Sequence, residues 1–383
     1  MRKKASIVLT TINVPLLLDD YADNFEKFGH QEDVSFIVIP DRKTPPEARE
    51  VVDRIAHRGF DADYVDLPRQ EDWLEKFPDL KAIIPYNSDN RRNIGYLMAV
   101  ERGCDILISI DDDNYCSPEE DFYAGHSIVG SIQTRPVIES SSGWFNICDL
   151  LEKSPNQTIY PRGFPYHKRD KDVQIQERRA TGYVAVNAGL WIHDPDVDAV
   201  TRLHEDVKTT RLNRDPILLA PQTKSPINSQ NTALISDAIA AYYFVLMGET
   251  VHGSKIDRYG DIFSGYFLRK CVEHMGHYVG VGSPVATHKR NRHNLLEDLR
   301  QELWGMILTQ SLVEMLDQIK LQGNTYAECY RDLSFKLEKA SNETADKYFN
   351  DEVRAYFQKI SSAMRVWLDV YQELAGAKLK ASG

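Results

Sequence analysis

The 383-residue sequence predicts an α/β domain followed by a helical carboxyl-terminal subdomain. Strand-length apolar runs alternate with amphipathic helical segments as far as Ile110. One run, Ile106 to Ile110, leads directly into Asp111-Asp112-Asp113-Asn114. From Asn294 onward apolar residues recur at helical spacing with polar faces between them.

Taken in order, Ala5–Thr11 and Val34–Pro40 read as parallel strands, with a helix over 15–28 between them. Its Leu16, Leu17, Leu18, Tyr21, Phe25 and Phe28 fall largely on one face. A second helix, 47–58, is opened by Pro45-Pro46 and closed by Gly59. Residues 63–67 form a third strand, and a helix over 93–102 ends at Gly103 and feeds the strand into Asp111. Beyond Ser117-Pro118 the pattern loosens into Gly-, Pro-, Ser- and aromatic-rich segments with one clear apolar stretch at 183–192. Residues 232–246 and 265–274 read as helices. The expected organisation is a nucleotide-binding α/β half over 1–117 and an acceptor- and sugar-binding half of the same domain over 118–293. A helical subdomain over 294–383 follows, whose role is packing and self-association.

A net charge of −11 argues against a nucleic-acid groove, which needs clustered cations. A basic patch between Arg162 and Arg179 remains, enough for a small anionic ligand. No window approaches the ~18 apolar residues of a membrane span, and no apolar core follows the basic amino terminus. Five scattered cysteines without a Cys-x-x-Cys pair fit reduced thiols, so a cytoplasmic protein is expected.

Three adjacent carboxylates repel one another, and a surface turn has no use for them. A divalent cation bound to a diphosphate does, and the carboxyl end of a central strand is where an open α/β sheet holds one. In an extended segment Asp111 and Asp113 point to the same side. Asp113 is therefore assigned to the metal, Asp111 to the metal or the ribose, and Asp112 to the nucleotide. All-oxygen ligands with one imidazole suit Mn²⁺ or Mg²⁺.

Several ordered blocks then point to a family. They are Arg92-Asn93-Ile94-Gly95-Tyr96-Leu97, the Asp111-Asp112-Asp113 strand end, and Pro161-Arg162-Gly163-Phe164-Pro165-Tyr166. Next come Gly189-Leu190-Trp191 with Asp194 to Asp198, Asn228-Ser229-Gln230-Asn231-Thr232-Ala233, and Leu246-Met247-Gly248. Arg258-Tyr259-Gly260-Asp261-Ile262-Phe263-Ser264-Gly265 and Met364-Arg365-Val366-Trp367-Leu368 complete the series. The chain resembles the reversibly glycosylated polypeptides, or UDP-arabinopyranose mutases, a branch of the GT-A glycosyltransferases. The resemblance implies a GT-A type αβα sandwich, a UDP-sugar ligand and a metal held at an Asp-x-Asp motif.

In that family an arginine of the Arg-Gly-Tyr/Phe-Pro block becomes glycosylated and a second, seven residues on, supports the reaction. Those positions are Arg162 and Arg169 here. Chemistry alone reads both as phosphate or sugar contacts, because a guanidinium is a poor nucleophile and a good anion clamp. His288 sits where the family has a Trp-His-Ser-Lys run and is the candidate third metal ligand, with His277 and His293 competing for the role. Lys289 is placed to meet a phosphate. Asp261 is the candidate carboxylate beside the reacting sugar, or else a helix cap. By fold analogy Thr10, Thr11, Asp41 and Arg92 surround the uridine.

The family's motif has two consecutive aspartates where this chain has Gly260 and Asp261. That lost anion turns the expectation toward transfer from a UDP-sugar to a separate small-molecule or carrier-bound acceptor. Pyranose–furanose isomerisation with self-glycosylation on arginine is the alternative. The acidic triplet argues against a non-catalytic scaffold.

Overall fold

The computed structural model describes residues 2–169, 172–290 and 294–381, with side chains as far as 377. β1 (Ala5–Thr11), α1 (Leu17–Phe28), β2 (Val34–Pro40), α2 (Glu47–His57), β3 (Asp61–Tyr64), α3 (Leu67–Leu74), α4 (Pro78–Ala82), α5 (Arg92–Glu101) and β4 (Ile106–Ile110) come first. β5 (Asn114–Cys116), α6 (Phe122–His126), β6 (Ser131–Ser140), β7 (Leu151–Ser154), β8 (Ile175–His193) and α7 (Ala199–His204) follow, then β9 (Lys208–Leu212), β10 (Ile217–Leu219) and β11 (Asn231–Ile235). A two-residue-strand hairpin, β12 (Thr250–Val251) and β13 (Ser254–Lys255), precedes α8 (Gly260–His274) and β14 (Tyr278–His288). Three long helices close the described chain: α9 (Leu295–Gln318), α10 (Tyr326–Glu343) and α11 (Asp351–Ala381).

The result is the α/β class the sequence predicts, with one large sheet and a helical carboxyl-terminal region. Strands β3, β2, β1 and β4 lie side by side and parallel. The near-continuous apolar runs of β1, β2 and β4, buried throughout β4, are what a sheet covered on both faces requires, while β3 is a polar edge strand. Next to β4, β11 runs antiparallel and carries the sheet on to β8. The sheet is therefore continuous across residues 117 and 118.

Two register features position the site. Ile110 pairs with Asn231, so Asp111 emerges beside Gln230 and its N–H donates to the Gln230 carbonyl at 3.2 Å. At the other side of the acidic turn β14 pairs antiparallel with β5, setting His288 against Asn114, one residue from Asp113.

The segment 232–246 departs from expectation. It holds strand β11 and a 3-10 turn (Ser236–Ala241) instead of a helix. Tertiary contacts override its helical spacing, because the carbonyls a helix would use internally are claimed from outside. Trp367 Nε1 donates to the Ala240 carbonyl at 3.1 Å, Tyr371 to Ser236 at 3.3 Å and Tyr356 to Leu246 at 3.2 Å, all from α11. Asn90 and Asn93 both donate to the Phe244 carbonyl, at 2.6 and 2.9 Å. Strand β3 lies earlier than the expected 63–67, because Asp66 caps α3 and accepts from Arg69 N at 3.1 Å. Helix α8 begins at Gly260, five residues before the expected start. All five cysteines are buried and no disulfide joins them. No described helix is long and apolar enough to cross a membrane.

Candidate active site

Strand ends β1, β2, β4 and β14, the amino termini of α5 and α8, and the segments 87–91, 196–202 (into α7) and 229–230 enclose a cleft of roughly 440 Å³. Thr10, Thr11, Asp41, Arg92, Asp111, Asp112, Asp113, Arg162, Asp261 and His288 all line it. Residues scattered from position 10 to 288 are thus gathered at one edge of the sheet.

The three triplet carboxylates have different partners. Asp111 is paired with Arg92, whose Nη2 lies 2.6 Å from its Oδ1. The Arg92 Nη1 donates to Ser109 Oγ at 2.8 Å and to the Ile110 and Ser229 carbonyls at 3.1 and 3.2 Å. Burial raises the Asp111 carboxyl, opposed by Arg92 and reinforced by Asp113 and Asp261. Asp112 accepts from Thr11 Oγ1 at 2.6 Å and from Asn13 Nδ2 at 3.0 Å, tying the acidic turn to the end of β1. Asp113 Oδ2 sits 3.3 Å from His288 Nε2, while the other ring nitrogen of His288 meets the Asp194 carbonyl at 2.6 Å. Burial lowers the His288 pKa, but Asp113, Asp196 and the Asp194 carbonyl outweigh it and raise it.

Among the described residues no three His, Cys, Asp or Glu side chains are gathered as a ready metal cluster. Asp113 and His288 do meet, whereas Asp111 is turned to Arg92. A carboxylate and an imidazole with its second nitrogen fixed on a carbonyl fit Mn²⁺ or Mg²⁺ whose other ligands are phosphate oxygens and water. Of the competing histidines, His277 is engaged with Tyr326 Oη at 2.8 Å, outside the cleft, and His293 lies outside the described residues.

Arg162 also lines the cleft, nine-tenths buried, between two carboxylates. Its Nε and Nη2 donate to Asp196 at 2.9 and 3.1 Å, and its Nη1 and Nη2 to Asp261 at 3.0 and 2.7 Å. Nη1 also reaches the Arg258 carbonyl. All five N–H donors are used. The carboxylates hold the guanidinium charged, well above its ordinary pKa despite burial. Burial pushes Asp196 up, but Arg162 and Asn228 bring it to about 2. Asp261 lies in the first turn of α8 and caps nothing but its own neighbour, accepting from Ile262 N at 2.9 Å.

Gly260 has a local reason. A Cβ there would stand 2.5 Å from the Val245 carbonyl and 2.9 Å from Phe244 Cε1, so this chain has no room for a second acid before Asp261.

Two expected residues do not line the cleft. Arg169 donates to buried Asp198 at 2.7 Å and lies over Tyr166 at 3.7 Å. Asp198 is also the amino-terminal cap of α7, so Arg169 braces that helix. The Lys289 ammonium lies 3.8 Å from the Tyr115 ring centroid, and its backbone N–H donates to the Asp113 carbonyl at 2.9 Å. Asp41 lines the cleft, but both its oxygens are taken, by Arg42 N at 2.6 Å and Ser88 N at 3.2 Å.

Residues the sequence reading missed include Asp89, Asp196, Arg202, Gln230, Arg258 and Arg290, all in the lining. A usable signal lay in Asp194-Pro195-Asp196-Val197-Asp198. Alternating acids imply alternating cations, and each aspartate holds a different one: Lys208, Arg162 and Arg169.

Among curated proteins, the probable UDP-arabinopyranose mutase 4 of Arabidopsis thaliana is 27% identical over 295 residues, 76% of this chain and 73% of that one. The probable UDP-arabinopyranose mutase 1 of Pisum sativum is 26% identical over 299 residues, covering 77% and 74%. Among solved structures, the glucosyl-3-phosphoglycerate synthase of Mycobacterium tuberculosis with Mn²⁺ and UDP-glucose aligns over 80% of this chain and 79% of that one. Its identity is 12% and its TM-score 0.38, a likeness too distant to bear on activity. The family model for reversibly glycosylated polypeptide matches residues 2–376, and the chain belongs to that family.

Proposed function

We propose that the protein is a metal-dependent UDP-sugar enzyme that moves the sugar from the diphosphate to a separate acceptor. One observation carries the reading: the Asp113–His288 pair and the Arg162-pinned Asp261 face one cleft. Asp113 and His288 would hold the cation, which when bound neutralises charge on the departing diphosphate. Arg92 holds Asp111 aligned at the same corner. Asp112 and Thr11 fix the turn against β1.

Asp261 is the negative group beside the anomeric centre, where positive charge develops as the diphosphate leaves. Two guanidinium bonds and a backbone N–H already occupy its oxygens. Its role is therefore electrostatic, and Arg162 is a positioning residue. Asp89 lines the same cleft and is open to solvent, where an acceptor can reach it. That makes it the better proton acceptor for an incoming hydroxyl.

The names of the plant relatives favour a second reading, pyranose–furanose mutation. Incubation with Mn²⁺ and UDP-arabinopyranose or UDP-galactopyranose, without acceptor, separates the two. Transfer predicts an unchanged ring form, with slow hydrolysis at most. Rapid furanose formation overturns it.

A further inference from the structure

Among the described residues Arg202 is an arginine with no close counter-ion. Its side chain is 9% exposed and lines the cleft. Its Nε has no hydrogen-bond partner, and one Nη reaches only the Pro195 carbonyl. The nearest carboxylate oxygen, Asp194 Oδ1, stands 3.9 Å away and is already claimed by Lys208 at 2.5 Å. A nearly buried guanidinium left in this condition is costly, and an oxyanion in the cleft would relieve it.

Two further arginines stand in the same wall. Arg290 donates to Asp298 Oδ2 at 2.8 Å, and Arg258 meets Asp298 at 3.5 Å and Glu302 at 3.1 Å. Both are among the residues that line the cleft. Arg258 adopts φ 57°, a left-handed backbone unusual for a side chain of its kind, and this turn lets it serve Arg162 with its carbonyl and Glu302 with its side chain. Arg290 adds to the burden on Arg202, since its like charge joins burial in lowering the Arg202 pKa to about 10. The support beneath is rigid: Arg202 rides on α7, whose cap Asp198 is held by Arg169 and Tyr166.

We infer that Arg202, with Arg258 and Arg290, forms an anion subsite beside the donor's metal corner, and that it receives a phosphate or carboxylate group on the acceptor. This rests on the transferase reading. The donor's diphosphate has its own partners at Asp113 and His288, while Arg202 sits beside them on the Pro195 carbonyl, next to the Asp194 carbonyl that holds His288, and contacts none of the triplet. The acceptor class is thus a small anionic molecule, its hydroxyl turned toward Asp261 and Asp89 and its anion toward Arg202.

The test uses the full-length protein with Mg²⁺. UDP is titrated first by calorimetry, then inorganic phosphate, or malonate as the carboxylate probe, into the UDP-saturated protein. Wild type is expected to bind one of the two anions on top of UDP, which also assigns the class. Arg202→Met is expected to lose at least 10-fold of that affinity with UDP affinity unchanged, and Arg290→Gln to weaken it in the same direction. No anion binding in wild type, or binding that Arg202→Met leaves unaltered, overturns the subsite. A parallel fall in UDP affinity also overturns it, assigning Arg202 to the donor diphosphate. Failure of wild type to bind UDP contradicts the donor reading instead, and anion titration without UDP then still reads Arg202.

Discussion

Arg162 and Asp261 meet in a parallel two-bond ion pair, Nη1 to Oδ1 at 3.0 Å and Nη2 to Oδ2 at 2.7 Å, while the same guanidinium grips Asp196 from its other edge. Removing the arginine strands two buried carboxylates. Arg162→Met should cost about 3–5 kcal/mol of stability, read from denaturant unfolding. Arg162→Lys should recover only part of it, since an ammonium cannot supply five planar donors. With no idle nitrogen, Arg162 should also carry no sugar after incubation with labelled UDP-sugar. An adduct mapped to Arg162 by peptide mass analysis would show that the pair opens during turnover.

Gly260 marks where the chain parts from its family's paired acids. A Cβ at 2.5 Å from the Val245 carbonyl forces the 244–247 loop outward, and Phe244 of that loop lines the cleft. Gly260→Ala is expected to destabilise by about 1–3 kcal/mol, as overpacked sites do. It should weaken UDP binding as well. Gly260→Asp should behave worse, without acquiring mutase activity. A melting temperature equal to wild type in Gly260→Ala would show that the loop has slack.

His126 supplies a pH dependence away from the site. It is fully buried, its Nε2 donating to Asn231 Oδ1 at 2.8 Å and its Nδ1 accepting from Asn187 Nδ2 at 3.1 Å, the pattern of a neutral ring. Burial lowers its pKa to about 4, with Asn231 opposing. The unfolded chain takes up the proton near pH 6.5 and the folded chain only near 4, so acid favours unfolding across that window. This group should remove about 3 kcal/mol between those limits. Replacing His126 by Asn should flatten the wild-type slope between pH 6.5 and 4, and an unchanged slope would mean the ring is protonated when folded.

Much of the framework was legible because its signals are local. The parallel strands β1, β2 and β4 are buried apolar runs bounded by turn residues, and both Gly59 and Gly103 adopt the positive φ their helix ends need. The acidic triplet and His288 could be named as candidates from residue type and family resemblance. What sequence could not show was which charges neutralise which. That Arg92 pairs with Asp111, read from sequence as a ligand of the metal or the ribose, could be seen only in the fold. Arg169 looked like a partner of Arg162 until its buried contact with Asp198 placed it under α7. The segment 232–246 failed for the same reason, since its carbonyls are satisfied by α11, more than 100 residues later in the chain.

The most direct test of the central claim is calorimetric titration of UDP with and without Mn²⁺ into wild type and Asp113→Ala. The account predicts Mn²⁺-dependent binding in wild type and a loss of at least 10-fold in Asp113→Ala, with UDP affinity in the absence of metal little changed. Equal affinity of both proteins in the presence of Mn²⁺ would contradict it.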